Sequence, residues 1–251
     1  MIREIIAANR KLCDKIEPHL PQVRLDGDLS ETHVRSIVKY MNSSPGQVIV
    51  DVGAGKSSPY VKYRKPALKT KIIGVDVSEE ELKDNVDVDE KRVANIMVDL
   101  PFEPEEVDLI LSTSVLEHLE NVESFIARSR RVLKVGGYFI HVFSSKFAPY
   151  ALINQALPNS VARKVLYFAV PDSPGIRGFP AFYDRTYYSG ISRLLKQHNF
   201  EVVSVQVQYY QSPYFKFFFP LFLVSAIYEM LIRALGAKDL AGYVLVIARK
   251  A

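Results

Sequence analysis

The chain has 251 residues, 48% hydrophobic and 24% charged, which suits one globular domain with a sizeable core and excludes disorder and fibrous repeats. The lone cysteine, Cys13, excludes an intramolecular disulfide and a thiolate metal cage. The net charge of +4 is uneven: from His141 onward 12 Lys/Arg face 5 Asp/Glu, giving +7, and the residues before it carry −3. A basic second part suits an anionic substrate or a lipid surface, or is simply a solvated face. The opening MIREIIAANRKLCDKIEP mixes charge with apolar residues and lacks a continuous apolar run, so no secretory signal is expected and cytoplasmic residence follows.

In chain order, the first twenty residues and Ser30 to Met41 read as helices, with Ser30 as N-cap. Gln47 to Val52 is a short apolar strand meeting Gly53-Ala54-Gly55, and a helix is expected to start near Ser57 or Pro59. Lys71 to Val77 reads as a second strand, followed by a helix capped by Ser78 and opened by three glutamates. Further strands are expected at Arg92 to Val98, Val107 to Ser112 and Tyr138 to Phe143. Between the last two, Asn121 to Leu133 is helical and is ended by Gly136-Gly137. Apolar strands alternating with helices imply parallel βαβ units with helices on both faces.

Regularity breaks from Ser144 to Asp184, where Pro149, Pro158, Pro171, Pro174 and Pro180 interrupt apolar helical stretches, as in a lid-like insertion (144–185). It returns with a helix over Thr186 to His198 and strands over Phe200 to Tyr209 and Tyr243 to Ala248. Between those strands lies an aromatic helical insertion (210–238). Its uncharged stretch, Phe217 to Tyr228, falls short of the roughly 20 residues a membrane span needs. A buried excursion, or a peripheral membrane contact through 214–228, is expected instead.

The strongest local signal is Asp51-Val52-Gly53-Ala54-Gly55, a glycine bend at a strand's carboxyl end where backbone can approach a ligand. Asp76 ends the next strand 25 positions after Asp51, where a carboxylate can accept from both hydroxyls of a ribose. Asp99, at the expected end of the third strand, would address an adenine amine while Leu100 packs on the ring. A phosphate loop is a poor reading, because Val50 stands where that pattern needs its first glycine. A nicotinamide site competes better, but its third glycine is missing.

With Val107-Asp108-Leu109-Ile110-Leu111-Ser112-Thr113-Ser114-Val115-Leu116-Glu117-His118-Leu119 and Leu133-Lys134-Val135-Gly136-Gly137-Tyr138 added, these segments resemble the successive motifs of class I S-adenosylmethionine (SAM)-dependent methyltransferases, most closely the subgroup called type 11. The resemblance covers roughly residues 45 to 143. It implies a single domain over 1–251, an α/β Rossmann-like seven-stranded mostly parallel sheet with helices on both faces and an antiparallel last strand. It implies SAM as cofactor, with S-adenosylhomocysteine (SAH) as product. Asp51, Gly53, Ala54 and Gly55 would line its amino-acid part, Asp76 and Val77 the ribose, Asp99 and Leu100 the adenine, and Ser112 to Ser114 would pass beside the sulfonium. The chain departs from the family at Lys56-Ser57, where most members place a third glycine.

A sulfonium methyl is already activated, so the protein has to align a nucleophile and exclude water. For a hydroxyl acceptor, His118 is the leading candidate base, with Asp184 the second. Glu117 reads as a loop organiser, His141 as a core histidine, and Tyr183-Asp184-Arg185 equally as a cap before Tyr187. The expected acceptor is a hydroxyl of a small molecule, sugar or lipid-linked intermediate. Nucleic acid is not expected, since Ser112-Thr113-Ser114-Val115 lacks the Pro-Pro-aromatic signature. The other reading is a non-catalytic SAM-binding module.

Overall fold

The computed structural model describes residues 2–21, 28–158, 161 and 180–251. Part of the proline-interrupted insertion, with Pro171 and Pro174, lies outside them. The elements in order are α1 (Ile2–Ile16), α2 (Leu29–Met41), β1 (Val48–Val52), β2 (Lys71–Asp76), α3 (Glu79–Leu82), β3 (Glu90–Val93), β4 (Val107–Thr113), α4 (Val122–Val132), β5 (Leu133–Ser144), α5 (Pro149–Ala156), α6 (Tyr188–Gln197), β6 (Phe200–Gln208), α7 (Phe219–Ala234) and β7 (Tyr243–Lys250).

The strands form one seven-stranded sheet in the order β3-β2-β1-β4-β5-β7-β6. The pairs β1–β2, β1–β4, β2–β3 and β4–β5 are parallel, and β7 runs antiparallel to both β5 and β6. The expected seven strands, mostly parallel with an antiparallel last one, are therefore present.

Both faces of the central strands are buried, which is why they read as unbroken apolar runs. One face sends Val50, Val52, Ile73, Val75, Ile110, Phe139 and Phe143 against Phe125 and Ile126 of α4 and Ile191, Leu194 and Leu195 of α6. The other sends Ile49, Ile72, Leu109, Leu111 and Ile140 against Leu29, Ile37 and Met41 of α2. Each such fully buried Val, Ile, Leu or Phe contributes about 1.5–3 kcal/mol. A third cluster joins α1 to α7 through Cys13, Phe215 and Phe222.

Several local expectations are corrected. Asp28, not Ser30, caps α2: its Oδ1 accepts from Ser30 N and Glu31 N at 2.9 and 3.1 Å. No α-helix follows the glycine bend; Pro59–Tyr63 and Pro66–Leu68 make 3-10 turns, each restarted by its proline. The third strand spans Glu90–Val93 instead of reaching Val98. Gly136-Gly137 does not end a helix but sits inside β5, which starts at Leu133. Pairing slips between Val107 and Leu109, and Gly136 adopts φ +81. A Cβ on Gly137 would lie 2.9 Å from the Lys134 carbonyl, so backbone crowding at this bulge requires glycine. Among the described residues no helix is long and apolar enough to cross a membrane.

Candidate active site

The carboxyl ends of β1, β2, β4 and β5 share one edge of the sheet. There Gly53 and Gly55 take φ +68 and +50, and the Gly53 N–H donates to the Val75 carbonyl at 2.7 Å, folding the bend back over β2. A Cβ on Gly53 would sit 2.4 Å from Val115 Cγ2, whereas one on Gly55 would meet nothing within 4 Å. The first glycine is thus required by packing and by backbone conformation, and the second opens onto free space.

Asp76 closes this bend from the neighbouring strand. Its Oδ2 accepts from Gly55 N at 2.9 Å and its Oδ1 from Ser78 N at 2.8 Å. The carboxylate is half-buried, and the next residue, Val77, is exposed. An exposed glycine bend, open space at Gly55 and a carboxylate on the adjacent strand end fit the ribose and amino-acid parts of SAM.

Asp51 lies beneath the bend. Ser58 Oγ and Tyr60 Oη donate to its Oδ2 at 2.6 and 2.9 Å. Burial pushes its carboxyl up to about 6, against the pull of those hydroxyls. Asn85 Nδ2 donates to the Ala54 carbonyl and to Ser58 Oγ, so the segment that replaces the third glycine is held by side chains, with Lys56 and Ser57 facing outward.

The strand-end position expected of Asp99 and the exposure expected of the Leu100 and Ser112 side chains are corrected. Asp99 is not at a strand end: it closes a turn in which its N–H donates to Asn95 O, and its exposed carboxylate stands 3.5 Å from Arg131. Leu100 is fully buried within the core, so its side chain is not available to stack on a ring, while Val98 two residues earlier is exposed. Ser112 is likewise buried, its Oγ 2.6 Å from His141 Nδ1, so only its backbone can pass near a ligand. His141 is the core histidine expected, and burial holds it well below the usual imidazole range. Ser114, by contrast, is exposed at the end of β4 with φ +55.

The turn after β4 brings together groups that the sequence separates. His118 Nδ1 lies 3.0 Å from the Pro180 carbonyl. The N–H groups of Phe182 and Tyr183 both donate to Glu117 O, at 2.9 and 3.0 Å. Asp184 is drawn away from the expected roles: its Oδ2 accepts from Val122 N at 3.0 Å and so caps α4, not the helix after Tyr187. Arg185 pairs with Glu123 at 3.0 Å.

Glu117, read from the sequence as a loop organiser, is a buried carboxyl at this edge. Its side chain is buried, Oε1 accepts from Ser144 N at 3.1 Å, and Oε2 has no hydrogen-bond partner among the described residues. Burial raises its carboxyl above the usual range, opposed by the neighbouring His118. Around it stand Tyr183 and the cluster of Tyr150, Tyr214 and Tyr243. Tyr150 and Tyr214 stack at 4.3 Å, and the Tyr214 and Tyr243 hydroxyls lie 2.5 Å apart. The abundance of tyrosine, 14 in all, was the one signal available, and it does not say which of them converge.

Residues 50–141 match the family model described as a methyltransferase domain. An uncharacterized protein of Methanocaldococcus jannaschii is 43% identical over 72 residues, which cover 27% of this chain and 33% of that relative, so the match spans a third of its length. Among solved structures, geranyl diphosphate C-methyltransferase from Streptomyces coelicolor A3(2) superposes with a TM-score of 0.56 at 15% identity, covering 89% of this chain and 81% of that one. Phosphoethanolamine N-methyltransferase 2 of Haemonchus contortus gives 0.54 at 16% identity, over 87% and 52%. The cyclase SpnF gives 0.57 at 16%, over 96% and 94%. At these identities the structural likeness carries the fold alone.

Proposed function

We propose that the chain transfers the methyl group of SAM directly to a hydroxyl of a small molecule and releases SAH, a reading supported by the match of residues 50–141 to a methyltransferase domain. The observation that carries this reading is the bend at the exposed Gly53 and half-buried Gly55 with the Asp76 carboxylate beside it, all at the carboxyl edge of the parallel strands. Gly53 and Gly55 present backbone to the amino-acid part of the cofactor, Asp76 and Val77 face the ribose, and the exposed Asp99 faces the adenine side. Ser114 borders the reacting end. The bound cofactor supplies a methyl group on a positively charged sulfur; the protein's task is to hold the acceptor in line and keep water out.

Titration calorimetry with SAM and SAH tests this reading. A catalyst binds both and releases the product, whereas a non-catalytic module holds SAM without turnover. If neither ligand binds, the reading fails.

A lipid-linked acceptor, reached at a membrane surface, is favoured by α7. The helix exposes Val224, Ile227 and Leu231 in a stripe continued by its C-cap Leu235, with Met230 and the N-cap Phe218 at its margins. Its only buried acid, Glu229, is turned inward to accept from Gln211 N and Ser212 N. The adjoining α1 adds the exposed Leu12, Lys11 and Lys15. An apolar stripe beside basic residues suits contact with an anionic lipid surface along its length, not insertion across it. The stripe runs from 218 to 235, further along the chain than the expected 214–228, because Tyr214 and Phe215 face inward.

A further inference from the structure

We propose that Glu117 is the proton acceptor of the transfer, and that Tyr150, Tyr183, Tyr214 and Tyr243 form the pocket that presents to it a hydroxyl carried on an apolar ring. The inference rests on the SAM-dependent reading above and names the acceptor side of the same site.

Three observations carry it. The first is the unpartnered Glu117 Oε2, on a side chain only 4% exposed. A buried carboxylate oxygen without a donor costs stability unless a ligand supplies one, and the missing partner must be an O–H or N–H. The second is position. Glu117 follows β4 by way of the exposed Ser114, and its Oε1 is anchored by the last residue of β5, Ser144, so the carboxyl stands at the strand edge that carries the glycine bend. The third is the wall. Tyr243 pairs with Ser144 in the sheet, Tyr150 comes from α5, Tyr183 from the segment stitched to the Glu117 carbonyl, and Tyr214 from the turn before α7. Ser144, which holds Glu117 Oε1, is the sheet partner of Tyr243, and Tyr243 in turn leads through Tyr214 to Tyr150.

The wall also says what fits. The Tyr150 hydroxyl is committed to the Gly242 carbonyl at 2.7 Å, Tyr214 and Tyr243 are committed to each other, and Tyr183 accepts from Asn154 at 3.4 Å. What these residues offer an incoming molecule is therefore mainly ring surface, with the Glu117 oxygen as the polar handle. Such a lining favours an apolar, ring-like body bearing one hydroxyl over an open polyol.

In the step itself the acceptor O–H bond breaks and its proton passes to Glu117 Oε2. The acceptor oxygen forms a bond to the methyl carbon as the methyl–sulfur bond breaks, its electron pair staying on sulfur. Negative charge leaves the carboxylate and positive charge leaves the sulfonium, so the step balances without a co-reactant. The carboxylate form is the active one, so the rate rises with pH through a carboxyl that burial holds above its ordinary range. The groups facing it are His118 on its own turn and the four tyrosines. Burial raises the hydroxyl pKa of all four, and they stay neutral across this range.

The test uses the full chain, Glu117→Gln and, as control for the neighbouring imidazole, His118→Gln. SAM affinity is read by calorimetry, and the Glu117 carboxyl band by infrared difference spectroscopy from pH 4 to 9, with and without p-cresol. Methyl transfer from labelled SAM is measured to p-cresol and related phenols, cyclohexanol, glycerol and benzylamine. The expected result is unchanged SAM affinity in Glu117→Gln and a titrating band, absent from that variant, that p-cresol shifts. Transfer to ring-borne hydroxyls should fall at least 100-fold, with its acid limb retained in His118→Gln. A band that p-cresol leaves in place, transfer that survives Glu117→Gln, or preference for glycerol or benzylamine overturns the proposal. Loss of SAM binding by the unaltered chain instead overturns the reading on which it rests.

Discussion

Replacing Gly53 by alanine tests the geometry of the glycine bend directly. The left-handed conformation at φ +68 costs an L-residue about 1–2 kcal/mol. The added methyl would also stand 2.4 Å from Val115 Cγ2, a β-branched side chain with little freedom to rotate away, and overpacking of this kind costs about 1–3 kcal/mol. Gly53→Ala should therefore destabilise the fold by about 2–5 kcal/mol. Val115→Ala removes the atom that the methyl strikes, so in the double variant the packing part disappears and the conformational part remains. Urea denaturation of the four proteins should give a coupling energy of about 1–3 kcal/mol in the favourable direction. Calorimetry on the double variant should still show weakened SAM binding, because the methyl persists on the exposed face of the bend. A cost below about 1 kcal/mol, or additive single effects, would refute the packing argument.

Asp76→Ala should weaken SAM binding at least tenfold, about 1.4 kcal/mol, by calorimetry. It should also lower stability by about 1–3 kcal/mol, because Gly55 N and Ser78 N lose their acceptor; unchanged affinity would remove Asp76 from the site. Burial lowers His33 from 6.5 to about 4, so its contribution to stability is full above pH 6.5 and is lost as pH falls through 4. His33→Leu should spare about 3 kcal/mol of that acid loss. Asp51, raised to about 6, acts in the opposite sense, its contribution falling as pH rises from about 4 to 6, so the measurement is the difference between variant and parent in chemical denaturation at pH 7 and pH 4. Parallel losses in the two proteins would show that His33 is not the group responsible. Sedimentation with vesicles containing phosphatidylglycerol should capture the chain. Ile227→Glu and Leu231→Glu, both on exposed positions, should abolish capture without lowering stability; equal capture of all three would assign the stripe elsewhere.

Local chemistry in the sequence determined the sheet and the glycine bend at its carboxyl edge. Continuous apolar runs bounded by Gly53 and Asp76 mark strands buried on both faces, and only a strand meeting glycine can turn as sharply as this bend does. Asp28 outcompetes Ser30 as a cap through local bonds two and three residues along the chain, whereas Gly136-Gly137 serve a bulge instead of a helix end because β5 pairs there with β4.

Only the tertiary structure decided which motif side chains are exposed at that edge and which are buried. Leu100 and Ser112 carry plausible motif positions but point into packed layers, and Asp184 is consumed by the start of α4. Tyr150, Tyr183, Tyr214 and Tyr243 are spread over more than ninety positions and carry no periodic signature. They converge because Tyr183 is bonded through its backbone to the Glu117 carbonyl, Tyr243 pairs with the Ser144 that holds Glu117 Oε1, and Tyr214 contacts both Tyr243 and Tyr150. Burial, which strips water from that carboxyl and leaves one of its oxygens without a donor, is a property of the packed chain and of no local segment.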